Sequence, residues 1–239
     1  MLHRRLDNHL VAENLAASRS KAAHLIRTGA VRVNGKVVGK LSYSVKPGDV
    51  VELEPFLYVG RGGYKLQAAL DAFRIDCKGL NVLDVGCSEG GFTDCLLRNG
   101  ASTVTAVDIA VDVINTTLRD DSRVTFKGGI DATDSEKLAS ALNDEKFPLI
   151  VMDVTGELLE ELLDSTAPRL QEEGVMIALL KPQYEEGREF VAEETGLEVL
   201  QRALGLRRGG LLAMDWTESP IRGGSKNRGN REFLLMFTH

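Results

Sequence analysis

Apolar runs alternate with helically spaced apolar residues along residues 81–239. The runs with the length and composition of strands are NVLDVG, VTAVDIA, VTFKG, PLIVMDV, VMIALLK, LLAMDW and EFLLMF. Helical periodicity lies between them, near residues 91–98, 112–118, 135–143, 157–166 and 187–204. This alternation predicts an α/β fold with a doubly wound, mostly parallel sheet of about seven strands. A non-helical loop, Thr217–Arg231, joins the last two strands, so we expect those two to pair antiparallel.

The N-terminal part of the chain has a different pattern. Helically spaced leucines and a later apolar group predict two short helices, with Ser18 as the N-cap of the second and Gly29 at its end. The run VRVNGKVV alternates around Asn34-Gly35, which is a strong hairpin signal. A turn in KPGD then leads to a closing strand in VVELEP. These elements predict a small α+β domain over residues 1–57.

A glycine-rich segment, Tyr58–Lys65, separates this domain from the rest of the chain. Its glycines permit wide backbone rotation, which predicts a hinge, and helical spacing resumes at Leu66. We therefore predict a division into residues 1–57, a hinge with a connecting helix at 58–78, and a larger domain at 79–239.

The net charge of −6 is unevenly distributed along the chain. Residues 1–57 carry nine basic and five acidic side chains, a charge of +4, which leaves −10 for the remainder. Such asymmetry predicts a separate module for a polyanionic partner; scattered solvated lysines are the alternative.

Composition narrows the class of protein. The mean hydropathy is −0.10, and every apolar run is far shorter than the roughly 20 residues that span a bilayer. The N-terminus has no apolar signal core, so we expect a cytoplasmic protein with no membrane partner. Three cysteines without C-x-x-C spacing predict neither a disulfide framework nor a metal site.

The stretch NVLDVGCSEGGFTDCLL combines a strand, a glycine turn and a helix, and Asp108 ends the next strand, 22 residues after Gly86. Glycines let a backbone approach a ligand closely, and such an acid accepts hydrogen bonds from ribose hydroxyls. Ser88 replaces the second glycine of the dinucleotide motif, and no G-x-x-x-x-G-K-[ST] phosphate loop occurs. The segment is similar to the S-adenosylmethionine loop of methyltransferases; a glycine turn of an ordinary α/β sheet is the alternative.

This resemblance implies S-adenosylmethionine as the cofactor. The glycines would pass under its methionine end, and Asp108 would hold the ribose diol. Asp131 is a candidate partner of the adenine amino group, with a surface loop acid as the alternative. The predicted cofactor-binding residues are Asp84, Gly86, Ser88, Gly90, Gly91, Phe92, Asp108 and Asp131.

Four charged residues lie at or beside predicted strand ends, where sheets of this kind place their active sites. Asp153 ends the run LIVMDV, Lys181 ends the run in LLKPQYE, and Glu232 opens the run in GNREFLL. Lys65 follows the GRGG segment. Each residue alone could be a solvated surface charge, but two lysines and two acids beside such a loop favour a catalytic cluster.

The residues RLDNHLVAENLAASRSKAAHLIRTGAVRVNGKVV…KPGDVVE resemble the RNA-binding domain of the ribosomal protein S-four type. The resemblance implies that the helix around Ser18–Ile26 lies against an RNA backbone. It also implies charge-assisted phosphate contacts from Arg4, Arg5, Arg19, Lys21 and Arg27. A solvated helix face is the alternative.

Four further motifs follow that domain: RGGYKL, DVGCSEGGFTDCLL, LLKPQYE and SP…GNREFLL. Together with the domain, they resemble the haemolysin-like (TlyA-type) ribosomal RNA methyltransferases. Their catalytic domain belongs to the FtsJ-like family of RNA ribose 2′-O-methyltransferases, which implies a Rossmann-like, S-adenosylmethionine-dependent fold. The Lys-Asp-Lys-Glu tetrad of that family falls on Lys65, Asp153, Lys181 and Glu232.

The reaction explains why such residues are needed. A ribose hydroxyl is a poor nucleophile, so its proton has to leave as it attacks the methyl group. A lysine works as a base only when burial or a neighbouring cation lowers its pKa. We expect Lys181 to be the base, with Lys65 as the neighbouring cation that also holds the target nucleotide. Asp153 and Glu232 would orient the two lysines and offset their charge.

The sequence departs from the family at three places, one of which is that the glycine-rich, GKGG-like segment expected after KPQYE is missing and the stretch to Ser219-Pro220 is short. The family has Asp-Leu-Ser-Phe at the end of the fourth strand, where this chain has Asp153-Val154-Thr155-Gly156. The loop IRGGSKNR is longer and more basic than expected, which predicts an RNA clamp or a solvated loop. The RNA-binding residues predicted outside the N-terminal domain are Arg61, Arg222, Lys226 and Arg228.

These departures leave alternatives to an RNA ribose 2′-O-methyltransferase acting on ribosomal RNA. One is an RNA-binding assembly factor that keeps the fold without turnover. Another is membrane lysis, which the family name suggests but the absence of long apolar runs opposes. A small-molecule methyltransferase would leave the basic N-terminal domain unexplained.

Overall fold

The computed structural model describes residues 4–27, 29–53, 58–223 and 229–239, without the side chains of His24 and Arg27. The predicted RNA contacts Lys226 and Arg228, and the Arg27 side chain, therefore lie outside the described residues. The chain divides into two compact units: the N-terminal residues through position 57, and Tyr58–Gly223 with Gly229–His239.

The N-terminal unit packs two helices with short antiparallel strands, as the sequence predicts. The helices are α1 (Leu6–Ala12) and α2 (Arg19–Arg27), and the strands are β1 (Arg4–Arg5), β2 (Val31–Val33), β3 (Lys36–Val37), β4 (Ser44–Val45) and β5 (Val51–Leu53). Strand β2 lies between β3 and β5, and β1 pairs with β4. Leucines of α1 and apolar residues of α2 and β2 form the core.

Local chemistry accounts for the boundaries in this unit. The Ser18 hydroxyl oxygen accepts a hydrogen bond from the Lys21 backbone N–H at 3.1 Å, which caps α2. Asn34 and Gly35 have φ angles of +51° and +75°, as a tight two-residue hairpin turn between β2 and β3 requires. Both features confirm predictions from the sequence.

The larger unit contains an eight-stranded sheet in the order β11-β12-β13-β10-β9-β6-β7-β8. Its strands are β6 (Asn81–Val85), β7 (Thr103–Asp108), β8 (Val124–Gly128), β9 (Phe147–Met152), β10 (Leu170–Leu180), β11 (Arg207–Arg208), β12 (Leu211–Glu218) and β13 (Phe233–Thr238). Strands β6 to β10 pair in parallel, whereas β13 pairs antiparallel with both β10 and β12. The predicted parallel sheet and its antiparallel final pair are confirmed, and the two-residue β11 is an addition.

The helices of this unit are α3 (Gly62–Phe73), α4 (Gly91–Arg98), α5 (Thr116–Arg119), α6 (Ser135–Ala141), α7 (Leu159–Thr166), α8 (Pro182–Glu185) and α9 (Glu193–Leu204). The expected helix at 187–204 begins only at Glu193, and the one expected at 112–118 begins at Thr116. The prediction that helical structure resumes at Leu66 is wrong, because α3 begins at Gly62 and includes Lys65.

Both faces of the sheet are covered by helices. Leu83, Val85, Ile150 and Met152 point into one apolar core with residues of α6, α7 and α9. The intervening strand residues point into a second core with residues of α3, α4 and α5. Burial of both faces explains why the central strands are near-continuous apolar runs, as in other parallel sheets.

Candidate active site

The sheet brings three of the four predicted catalytic residues to one edge. Asp153 follows β9 and Lys181 follows β10, and the carboxyl ends of these parallel strands lie side by side. Glu232 precedes β13, which runs antiparallel to β10 with Phe233 opposite Leu180. The start of β13 therefore lies beside the end of β10.

The four side chains form a continuous ionic cluster, with Lys65 supplied from the first turns of α3. Lys65 Nζ lies 2.6 Å from Glu232 Oε2 and 3.8 Å from Asp153 Oδ2. Asp153 Oδ1 lies 2.6 Å from Lys181 Nζ. Lys65, Lys181 and Glu232 are only 9, 8 and 2% exposed, so these charges are removed from water and depend on one another.

Asp153 is the centre of this cluster, since each of its oxygens faces a different lysine. Burial alone would raise the pKa of Asp153. The ammonium groups of Lys181 and Lys65 outweigh burial and lower the pKa below its ordinary value. Asp153 is therefore an ionised carboxylate that holds the two lysines close together.

Glycines place Lys65 at the cluster. A Cβ atom on Gly91, at the start of α4, would lie 3.1 Å from the Gly63 backbone nitrogen in α3. A Cβ atom on Gly63 would overlap the Tyr58 ring, 2.2 Å from its Cγ. The glycines of the GRGG segment thus allow the starts of α3 and α4 and the Tyr58 ring to pack tightly together. This packing fixes the backbone just before Lys65.

A second close contact places Glu232. A Cβ atom on Gly223 would lie 1.9 Å from Glu232 Oε1, so only glycine fits against this carboxylate. Gly223 and Asn230 exchange backbone hydrogen bonds of 2.8 and 2.9 Å. The Asn230 side chain also accepts from the Val191 N–H and donates to the Glu189 carbonyl oxygen. Sequence reasoning missed Gly223 and Asn230, and their proximity to Glu232 in RGG…GNRE is the signal that was available.

Beside the cluster is an open cleft with a volume of about 240 Å³. It brings together four of the predicted cofactor residues and Asp153; its lining is Gly86, Ser88, Asp108, Ile109, Ile130, Asp131, Ala132, Asp153, Val154, Thr155 and Glu157. The cleft opens at the carboxyl ends of the parallel strands, the usual position for a nucleotide in such a sheet.

The cleft has the donors and acceptors that a nucleoside requires. Asp108 accepts hydrogen bonds from the backbone N–H groups of Ser88 and Ala110, both at 2.8 Å, and a carboxylate has further lone pairs for ribose hydroxyls. Ile109 is 69% exposed and offers an apolar surface. Gly86 has a φ of +77°, and a Cβ atom there would lie 2.9 Å from the Asp153 carbonyl oxygen. Glycine at this position therefore allows the backbone that lines the cleft to pack directly against Asp153 and Val154.

Asp131 lies in the cleft, but its carboxylate already has local partners. Oδ1 accepts hydrogen bonds from the backbone N–H and hydroxyl of Thr133. These two hydrogen bonds, with that from the Thr133 hydroxyl having the larger effect, hold the pKa of Asp131 below its ordinary value. The residue is a fixed carboxylate on the wall of the cleft.

The other predicted cofactor residues have packing roles in the structure and are not part of the cleft lining. Phe92 is buried against Gly62, and a Cβ atom on Gly90 would lie 2.4 Å from Leu118. Asp84 is fully buried and accepts a 2.6 Å hydrogen bond from the Thr93 hydroxyl. Burial raises the pKa of Asp84 to about 7, against the lowering effect of the Thr93 hydrogen bond.

Asp7 organises two of the predicted RNA contacts in the N-terminal unit. Arg5 donates two hydrogen bonds to the Asp7 carboxylate, at 3.0 and 2.9 Å, and Arg19 Nη2 lies 3.6 Å from Asp7 Oδ2. The Asp7 side chain is 4% exposed, whereas those of Arg5 and Arg19 are 50 and 70% exposed. A buried acid therefore holds two accessible guanidinium groups. Arg4 and Lys21 are also exposed.

The two predicted RNA contacts described in the larger unit differ in accessibility. Arg61 precedes α3 and is half-buried. Arg222 is exposed and pairs with Glu193 at 2.9 Å. This ion pair is open to water and is therefore weak enough to exchange for a phosphate.

Comparison with known proteins assigns the family. The profile of the FtsJ-like methyltransferases matches residues 58–237, and that of the S4 domain matches residues 4–51. The chain belongs to the FtsJ-like methyltransferase family. Its Rossmann-like fold, its enzyme class and its N-terminal S4 domain confirm what the sequence resemblance implied.

Three relatives illustrate the range of this family. Hemolysin A of Brachyspira hyodysenteriae is 34% identical over 242 residues, covering 98% of this chain and 99% of that protein. The 16S/23S rRNA (cytidine-2′-O)-methyltransferase TlyA of Mycobacterium tuberculosis is 34% identical over 187 residues, covering 77% of this chain and 69% of that protein. The solved structure of a hemolysin-like protein from Streptococcus thermophilus aligns with a TM-score of 0.73 and 30% identity, covering 99% and 88%.

The described residues also bear on the predictions about membranes and metals. In the described part of the chain, no helix of this methyltransferase is long and apolar enough to cross a membrane. Within the same residues, no group of three or more His, Cys, Asp or Glu side chains is arranged to hold a metal ion.

Proposed function

We propose that this FtsJ-like methyltransferase transfers a methyl group from S-adenosylmethionine to a ribose 2′-hydroxyl of ribosomal RNA. The observation that carries the proposal is the buried Lys65–Asp153–Lys181–Glu232 cluster at the rim of a nucleoside-sized cleft. The relative named as a cytidine-2′-O-methyltransferase of 16S and 23S rRNA supports the choice of substrate. With such a substrate, we expect the reaction to take place in the cytoplasm.

The cleft residues fit the cofactor, which supplies an electrophilic methyl group. Asp108 would hold the ribose hydroxyls, and Asp131 would hold the adenine amino group. The backbone at Gly86, which lines the cleft, would face the methionine end. Asp153 lies both in the cleft lining and in the ionic cluster, so a methyl group held there would lie beside the lysines.

The cluster supplies the proton chemistry. Lys181 removes the ribose proton as the oxygen attacks the methyl carbon, and Lys65 holds the target nucleotide by its charge. Asp153 and Glu232 fix both amines, so little rearrangement is needed when charge develops. We propose that the S4 domain captures RNA phosphates through Arg4, Arg5, Arg19, Lys21 and Arg27, and that the larger unit does so through Arg61, Arg222, Lys226 and Arg228.

The test is methyl transfer from radiolabelled S-adenosylmethionine to 30S and 50S ribosomal subunits and to stripped ribosomal RNA. We expect label in an alkali-resistant dinucleotide, which is the signature of a 2′-O-methyl group. Lys181→Ala should lower turnover by roughly 10²- to 10⁴-fold, the usual contribution of a positioned base. Lys78→Ala, which removes an exposed lysine that does not line the cleft, is the matched control and should keep wild-type turnover.

Two results would contradict the proposal. Label in alkali-labile or base-attached positions would identify a different methyl acceptor. Cofactor binding without label in any RNA would favour an RNA-binding assembly factor that keeps the methyltransferase fold.

A further inference from the structure

Three consecutive residues surround the Lys181 amine. Lys181 Nζ donates to Asp153 Oδ1 at 2.6 Å, to the Val154 carbonyl oxygen at 3.0 Å and to Thr155 Oγ1 at 2.7 Å. An ammonium group has three N–H donors and no acceptor, so this arrangement gives every N–H a partner. The geometry is thus complete for the charged form that Lys181 reaches after it has taken a proton.

The three partners respond differently when the amine is neutral. A neutral amine has two N–H donors and one lone pair, and a carboxylate or a carbonyl can only accept. The hydroxyl of Thr155 can accept from the ammonium and can also donate to the amine. Thr155 is therefore the partner among these three that can stay bonded to Lys181 in both protonation states.

Thr155 also lies where the reaction would occur. It is exposed and lines the cleft together with Gly86 and Asp108, whereas Lys181 is 8% exposed. The hydroxyl thus stands between a buried amine and the cleft. This position is one of the departures from the Asp-Leu-Ser-Phe run of the family, and the structure shows that Thr155 keeps a hydroxyl at the serine position.

We propose that the Thr155 hydroxyl carries the proton from the ribose hydroxyl to Lys181, an inference that rests on the proposed function of the cluster. The ribose hydroxyl gives its proton to Thr155 Oγ1 and the Thr155 hydroxyl gives its own proton to the lone pair of Lys181 Nζ, as the ribose oxygen bonds to the methyl carbon and the bond from methyl to sulfur breaks. Asp153 and Val154 accept two N–H groups before and after this step. Thr155 accepts the third N–H that the step creates, so its contribution is largest as the charge develops.

Other groups around Lys181 also affect its charge, but they cannot both donate to the neutral amine and accept from the ammonium as Thr155 can. Asp153 stabilises the ammonium, Lys65 opposes it through the shared carboxylate, and Glu232 offsets Lys65. The Tyr184 ring lies 5.8 Å from Lys181 Nζ. Substitution of Thr155 leaves all four groups in place, so it isolates the third hydrogen bond.

The first experiment compares Thr155→Val, which removes the hydroxyl at nearly constant shape, with Thr155→Ser, which keeps it. We expect kcat to fall by about 10- to 100-fold in Thr155→Val, the usual effect of a hydrogen bond to a charged group. KM for S-adenosylmethionine should change by less than about threefold, and Thr155→Ser should restore most of kcat. Thr125→Val, an exposed threonine of β8, is the matched control with wild-type kcat.

The second experiment reads the amine directly and needs no RNA. Acetic anhydride labelling of Lys181, followed by mass spectrometry across pH, measures the fraction of neutral amine. Thr155→Val should move the midpoint of this curve to lower pH, because its ammonium form has lost an acceptor, and Thr155→Ser should match the wild type.

Each measurement can overturn the proposal. An unchanged labelling curve in Thr155→Val contradicts it, even if the protein methylates no RNA and the proposed function fails. A fall in kcat that Thr155→Ser does not restore would assign Thr155 a purely steric role.

Discussion

Lys65 and Glu232 are 167 positions apart in the chain, and their Nζ and Oε2 atoms lie 2.6 Å apart. Both side chains are almost fully buried, so each charge depends on the other for its stability. The pair joins the first helix of the larger unit to its last strand. Loss of either charge is therefore expected to affect stability and, under the proposed function, turnover.

Removal of one charge from this pair should destabilise the protein. Glu232→Leu leaves the buried Lys65 ammonium with Asp153 at 3.8 Å as its remaining carboxylate, and we expect the free energy of unfolding to fall by about 3–5 kcal/mol. The double variant Lys65→Met, Glu232→Leu should recover much of this loss while turnover stays abolished. Urea unfolding and methyl transfer measured on the same samples separate the two effects. A single variant as stable as the wild type would contradict this account.

The contact between Gly223 and the Glu232 carboxylate predicts a loss of activity without a change in charge. Gly223→Ala places a methyl group 1.9 Å from the observed position of Glu232 Oε1, so the carboxylate has to move away from Lys65. We expect turnover to fall by at least about tenfold, a misplacement effect. Gly60→Ala is the control, because a Cβ atom there meets nothing within 4 Å. Equal activity of the two variants would show that Gly223 has no such role.

Asp84 should make stability depend on pH in an unusual direction for an acid. Burial raises its folded-state pKa to about 7, whereas the unfolded chain ionises near 3.8. Between pH 4 and 7 the folded protein keeps a proton that the unfolded chain has released, so stability from this group decreases as pH rises through that window and is level above it. Urea unfolding at intervals from pH 5 to 8 should show a shallower decline for Asp84→Asn. Parallel profiles for the two proteins would contradict the prediction.

The position of Asp7 predicts an effect on RNA binding opposite to that of simple charge counting. Asp7→Asn makes the S4 domain more positive, yet it releases Arg5 and Arg19 from a fixed arrangement. We expect weaker binding to ribosomal RNA by about threefold or more in filter-binding assays at constant salt. Glu13→Gln removes an exposed acid that pairs with Arg4 at 3.4 Å and should leave binding unchanged or slightly stronger. Tighter binding by Asp7→Asn would show that net charge alone decides.

The fold was predictable because apolar strand runs and helically spaced apolar residues alternate regularly over most of the larger unit. The central strands are buried on both faces and therefore appear as apolar runs, while the intervening helices show their own periodicity. The start of α3 was not predictable in this way. Gly62 and Gly63 resemble a hinge in sequence, but in the structure they permit close packing against Phe92 and Tyr58.

The clustering of the four charged residues that we propose as catalytic was predictable, since strand ends and the family resemblance point to the same four residues. The residues that position these four side chains were not predictable, because they act through contacts between segments that are distant in sequence. Gly223 contacts Glu232 across a loop, and Thr155 contacts Lys181 across 26 positions. A sequence pattern shows how residues are spaced along the chain. The roles of Gly223 and Thr155 depend instead on contacts that form only in the folded structure.

Strand β13 is hydrogen-bonded to a neighbouring strand on both of its edges. The ionic cluster and the loop before Glu232 can therefore change independently during evolution. Glu232 is held in register by β10 and β12, and the bridge between Gly223 and Asn230 closes the loop ahead of it. Residues inserted or exchanged within that loop leave the register unchanged, because a strand paired on both edges cannot slip without turning its side chains to the opposite face. Under the proposed function, a lineage could therefore change this basic loop to suit a new RNA and keep the ionic cluster unchanged.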